Sequence, residues 1–199
     1  MRLSKSMVVV LSLSMLSGCV APLTSNFSGK SLGKGKVEFD VGGVSFGDMT
    51  VGAFKFAYGA TPHFDLGIQF EYGCVGLFGK YAISNPKENG LAFAALIGGG
   101  MITNGSYFYT GPILSCKMNL WEPYIVGRYN YVNYNEILYS WNGFREETKG
   151  HSYFQFTFGS ILWISRKIGF NIELSTLTGD TDFTDMESPI IAGGLKIRF

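Results

Sequence analysis

His151 and the acids that follow it are the side chains best suited by type to chemistry. An imidazole beside a carboxylate can activate water, and with more carboxylates it can hold a metal ion; Asp180, Asp182, Asp185 and Glu187 supply such groups close together. The first three are spaced for weak Ca²⁺ binding at best, because the EF-hand pattern is not completed. His63 follows Pro62 and reads as a turn residue. No metal site and no cofactor is expected, and His151 is the single weak catalytic candidate. A second polar set, Lys55, Gln69, Glu71, Lys80, Arg128 and Glu173, is scattered through otherwise apolar segments. What it can do depends on which way those segments face.

Composition narrows the elements that must position these groups. The 199 residues are 46% hydrophobic but only 16% charged, against roughly a quarter charged in a soluble domain. The net charge of +1 excludes a nucleic-acid binder with a strong basic excess. Outside the N-terminus no run approaches the ~20 apolar residues of a spanning helix.

Residues 35–199 alternate instead. Phe54, Phe56 and Tyr58 interleave with Lys55, Ala57 and Gly59, and Ile168, Phe170, Ile172 and Leu174 interleave with Gly169, Asn171 and Glu173. Turn signals divide the region into about ten strands, with eight as the alternative: 36–46, 49–60, 64–73, 75–83, 90–101, 107–118, 122–132, 151–162, 167–176 and 189–199. Each is near the ~9–11 residues of a tilted spanning strand. The expected fold is all-β, a single antiparallel up-and-down transmembrane barrel. Connections 133–150 and 177–188 read as long loops at the end opposite both termini.

Alternation alone also suits a soluble lipocalin-like barrel, whose polar face is outside. The residues opposite the aromatics decide for a narrow interior: many are Gly or Ala, and Lys36, Lys55, Lys80, Arg128, Lys196 and Arg198 nearly balance Glu38, Asp40, Asp65, Glu71 and Glu173. Tyr58, Tyr72, Tyr107, Tyr109, Trp121 and Trp163 near strand ends suit outward interfacial girdles. Antiparallel pairing of the first and last strands brings Glu38 and Asp40 to the height of Lys196 and Arg198, so opposite charges meet at the closing seam. Pro112 lies inside the sixth strand and removes a ladder donor, which predicts a bulge or frayed pairing. The polar set reads as a packed plug of wall side chains rather than a channel lining. Cys74 and Cys116 fall at opposite ends and are not expected to pair.

The first 18 residues have the basic start (Arg2, Lys5) and apolar middle of a secretory signal. Leu16-Ser17-Gly18-Cys19 resembles the lipobox of bacterial lipoproteins, which implies lipidation of Cys19 and, with Val20 next, sorting to the outer membrane. Residues 19–34, rich in Ser and Gly and without periodicity, read as a flexible tether from that lipid, placed on the periplasmic side. The final strand, ending on Phe199, resembles the C-terminal targeting signal of outer-membrane β-barrel proteins, which the insertion machinery reads. No specific family is indicated. Omptin-like proteases and lipid A-modifying barrels resemble this chain in architecture only: it has no His-x-Asp pair at the loop end, no strand-borne Asp-x-Asp, and no His-x-Ser.

The sequence therefore points to a non-enzymatic outer-membrane lipoprotein of a Gram-negative envelope. Its partners would be the bilayer, lipopolysaccharide and the insertion machinery, with no nucleic acid. Its role would be envelope structure or surface interaction through 133–150, which mixes Tyr134, Leu138, Tyr139, Trp141 and Phe144 with charges, and through 177–188. A narrow pore and a rim hydrolase are the functional alternatives.

Overall fold

The computed structural model describes residues 21–46, 48–71, 73–86, 89–140, 143–179 and 189–199. Among these residues the period-two segments form ten strands: β1 (Val37–Phe46), β2 (Met49–Gly59), β3 (Phe64–Glu71), β4 (Cys74–Ser84), β5 (Gly90–Ile102), β6 (Gly105–Lys117), β7 (Trp121–Ser140), β8 (Gly143–Trp163), β9 (Ile168–Gly179) and β10 (Ile190–Arg198). Each pairs antiparallel with its sequence neighbours, and β1 pairs with β10 to close the barrel. Closure leaves no strand edge around the wall, the condition for a sheet in hydrocarbon.

The wall is polar inside and apolar outside. In β2, Phe54, Phe56 and Tyr58 point out while Ala53, Lys55 and Ala57 point in, and β9 alternates likewise. Among the described residues, the exposed charged side chains are Lys34, Lys36, Asp48, Glu147, Arg166 and Lys167, all at or beyond the barrel ends. The outward hydroxyl of Thr110 donates to the Leu96 carbonyl at 2.9 Å and so needs no water. This sense is opposite to that of a lipocalin-like barrel.

One end carries both β1's start and β10's finish and is called the turn side; the other is the loop side. The loop side differs from the sequence expectation. Residues 133–150 are not a loop, because the β7–β8 ladder continues unbroken from Asn133↔Gly150 to Ser140↔Gly143. Among the described residues, pairing of β7 with β6 ends at Tyr134 and of β8 with β9 at Tyr153, so 135–140 and 143–148 form a two-stranded ribbon projecting about 20 Å at ~3.3 Å per residue. On this side the β1–β2, β3–β4 and β5–β6 ladders run as far as Phe46↔Met49, Glu71↔Cys74 and Ile102↔Gly105. Residues 177–179 belong to β9, while Asp180, Asp182, Asp185, Glu187, Tyr72, Trp141 and Cys19 lie outside the described residues.

At Pro112 the β6–β7 ladder skips from Thr110↔Tyr129 to Ile113↔Val126 without a change of register, so the pairing is interrupted and not bulged. The bulge sits instead in β4, between Ala82 and Ser84. Tyr107, Tyr109 and Trp163, expected in outward girdles, point inward and are at most 4% exposed. Glycine opposite them makes the room: a Cβ on Gly98 would lie 2.3 Å from the Tyr109 ring, and one on Gly76 2.1 Å from the Tyr107 hydroxyl. Tyr58 and Trp121 do face outward. Lys36 lies exposed before β1 rather than inside.

Candidate functional site in the lumen

The segment expected to be a flexible tether runs inside the barrel. Residues 21–29 are buried except for the half-buried Thr24, and Leu32 is buried. A polar stretch without periodicity cannot form its own core, but it can be held where a wall supplies partners for its backbone. This wall does. Its carboxylates accept N–H groups and its cations donate to carbonyls, residue after residue.

At the turn side the Leu32 amide bonds both oxygens of Asp65 at 3.1 Å, and the Ser31 hydroxyl bonds Oδ1 at 2.7 Å. Lys80 Nζ donates to the carbonyls of Lys30 (2.7 Å) and Ser28 (2.9 Å), and Ser28 Oγ donates to Glu122. Midway, Lys55 Nζ reaches the carbonyls of Ser25 (2.9 Å) and Asn26 (2.6 Å), while the amides of both residues bond Glu173. Phe27 sits edge-on to Phe78 at 4.9 Å, with the Lys55 ammonium 3.9 Å from its ring centre. Higher still, Glu71 accepts the amides of Leu23 (2.8 Å) and Thr24 (3.1 Å) and the Thr24 hydroxyl (2.8 Å). Arg128 donates to the Pro22 carbonyl, and Gln155 to that of Leu23 at 2.6 Å. Finally the Ala21 amide donates to the Tyr153 hydroxyl at 3.1 Å.

The six residues of the polar set thus face the lumen, and five of them hold the segment. Gln69 does not; it accepts from the Tyr109 hydroxyl at 3.0 Å and donates to Tyr107 at 3.4 Å. The plug is the chain's own N-terminal segment, not wall side chains alone. Sequence reasoning missed Glu122 and Gln155 as parts of this set. Alternation from outward Trp121 and Phe156 was the signal that places both inside.

At the seam, Glu38 lies opposite Arg198 and Asp40 opposite Lys196. Lys196 Nζ is 2.9 Å from Glu38 and 3.1 Å from Asp40, and Arg198 Nε is 2.6 Å from Glu38. Lys196 also donates to the Asn26 carbonyl at 2.9 Å, so the seam grips the segment as well.

His151 is buried at the loop side, its Nε2 3.1 Å from the Tyr134 hydroxyl and its ring stacked on that tyrosine. The acids considered with it lie outside the described residues. Among the described residues no group of three His, Cys, Asp or Glu side chains could hold a metal ion. His63 lies in the β2–β3 turn, its Nδ1 3.1 Å from the Ala82 carbonyl. Cys74, at the loop-side start of β4, and Cys116, at the turn-side end of β6, are not joined in a disulfide.

The class these features define is a closed, ten-stranded, up-and-down barrel, apolar without and polar within, its lumen occupied by its own N-terminal segment. No protein-family model matches the chain, and no curated protein does. Its fold is similar to the N-terminal β-barrel domain of Pseudomonas aeruginosa OprF, at 13% identity over 84% of this chain and 99% of that one, with a TM-score of 0.44. Ail, the attachment invasion locus protein of Yersinia pestis, matches at 9% identity over 83% and 99%, TM-score 0.32. Neisserial surface protein A (NspA) matches at 8% identity over 82% and 95%, TM-score 0.32.

Proposed function

We propose that the chain is a stoppered outer-membrane β-barrel lipoprotein that acts without catalysis, in envelope structure or in surface interaction. The observation carrying this reading is the lumen. Residues 21–32 engage the wall from Asp65 on the turn side to Tyr153 on the loop side, leaving the polar groups a structural task in place of permeation or catalysis. The apolar exterior suits hydrocarbon, and the closed ladder meets its backbone requirement. The turn side faces the periplasm, and Phe199 there is the residue the insertion machinery would read. The β7–β8 ribbon and the end of β9 at residues 177–179 face the medium, where lipopolysaccharide or a surface partner would meet them. Cys19 ends the lipobox-like Leu16-Ser17-Gly18-Cys19 and is the residue that would be acylated.

Fractionation and gel mobility test the architecture. The protein is expected in outer-membrane fractions, migrating faster unboiled than boiled; identical mobility, or recovery with soluble periplasmic proteins, refutes it. Wild-type protein in planar bilayers is expected to give no discrete conductance steps, and regular steps would restore the pore reading. Labelled palmitate should enter the wild type and not Cys19→Ser; equal labelling removes the lipoprotein assignment.

A further inference from the structure

We infer that the N-terminal segment carries the mature N-terminus to the loop side of the barrel, so that acyl chains on Cys19 enter the leaflet facing the medium, not the periplasmic one. This rests on the lipoprotein reading of Cys19; the topology itself rests on the threaded segment alone.

The direction of threading is fixed by its partners in order. Gly35 donates to the Gly59 carbonyl at the turn-side end of β2, at 2.8 Å. Going back along the chain, the partners move from Asp65, second in β3, through Lys55 and Glu173 in mid-wall, to Glu71, the last residue of β3. Ala21 then meets Tyr153, ten residues from the turn-side end of β8. At ~3.3 Å per residue and a tilt near 40°, that is about 25 Å above the turn-side end. The segment crosses most of a hydrocarbon core of ~30 Å.

The wall is not of even height. The wall has a low lip at Glu71, the last residue of β3 and the partner of Cys74, because β2 extends four residues further toward the loop side than Ala53, which pairs with Glu71. Leu23 and Thr24 are already hydrogen-bonded at that lip, and the chain before them continues to Tyr153 on the taller β8. Cys19 is two covalent steps from Ala21, at most about 7 Å of chain. Two residues cannot return to the turn side past a lumen already occupied by residues 21–32. They can reach the loop-side mouth, and acyl chains there need only cross the β3–β4 lip to meet lipid.

The test is a chain carrying Val20→Lys and Glu147→Lys, treated in intact cells with a membrane-impermeant amine-reactive biotin, then mapped by peptide mass. Glu147 is exposed on the ribbon, away from the lumen, and unboiled gel mobility checks that the barrel forms with both changes present. Biotin on the introduced amines at both positions, 20 and 147, in intact cells is the expected result. Labelling at 147 with position 20 reached only after permeabilisation overturns the inference while leaving the outward orientation of the ribbon intact. If both need permeabilisation, orientation and inference fall together. Palmitate incorporation, read in parallel, separates a missing lipid from a misplaced one: position 20 labelled on intact cells without palmitate keeps the topology and removes the acyl anchor.

Discussion

Glu71, the last residue of β3, accepts the backbone amide of Leu23 at 2.8 Å and that of Thr24 at 3.1 Å, so one wall carboxylate holds two consecutive residues of the N-terminal segment. The contact is to backbone, which makes the segment's position depend on the wall more than on the segment's own side chains.

Deleting residues 21–32 should therefore convert a silent barrel into a conducting one. Lys55, Lys80 and Arg128 lose their carbonyl acceptors, and Glu71 and Glu173 their amides; such groups unpartnered in a dry site are costly, so water enters. Single-channel recording in planar bilayers should then show regular steps absent from the wild type. A deletion variant that forms the barrel and stays silent contradicts this account.

The seam tests the electrostatics. Lys196→Ala takes from buried Asp40 its nearer cation, leaving Lys55 at 3.8 Å, takes from buried Glu38 one of its two cations, and removes the donor to Asn26. Removing one partner of a buried pair costs about 3–5 kcal/mol, so the urea midpoint for loss of the fast-migrating form should fall clearly. Lys36→Ala, altering an exposed residue outside the wall, should leave that midpoint unchanged.

Interior space gives a steric prediction. Gly98→Ala places a methyl 2.3 Å from the Tyr109 ring and should cost about 1–3 kcal/mol as an overpacked site. Tyr109→Leu in the same chain should return part of that loss in a melting experiment. Equal melting of the single and double variants would mean that ring and methyl do not conflict.

The outward face is tested by charge. Ile172 is 63% exposed near the middle of β9, and Ile172→Arg should cost about 2–4 kcal/mol for folding in phospholipid vesicles. In Glu147→Arg, on the ribbon, folding should be unaffected. Similar effects at both sites would place Ile172 in water.

The strands and their inward polar residues were legible because alternation has only two phases, and a charge in an apolar run fixes which phase is inside. The seam pairs Glu38–Arg198 and Asp40–Lys196 follow from the same parity plus closure. Parity failed where both phases are aromatic or apolar. Tyr107 and Tyr109 alternate with Ser106, Phe108 and Thr110, and it is Gly98 on the neighbouring β5 and Gly76 on β4 beyond it that reveal that the rings turn inward. Residues 133–140 and 143–150 hid a ribbon because Ile137, Leu138 and Tyr139 run consecutively, so no alternating apolar phase marks it. The plug was invisible for a deeper reason. A segment recognised through its amides and carbonyls carries no side-chain pattern, and Ser, Gly and Pro are also what a loose linker contains. Its signature lay in the wall, in charges nearly balanced among themselves yet more numerous than a filled lumen of side chains requires.

Lys196 lies on β10, yet it joins β1 through Glu38 and Asp40 and the still earlier residue Asn26 through its carbonyl. Closing the barrel and seating the segment therefore draw on the same ammonium group. Once β1 and β10 are paired the segment has no sideways exit, only the two mouths, and Gly33 and Gly35, at φ of +87° and +79°, turn the chain from the lumen into β1 at one of them. The consequence is for assembly: a ring that closes with the segment unseated leaves Lys196 without its Asn26 acceptor, so the seam reaches its full set of bonds only with the thread in place.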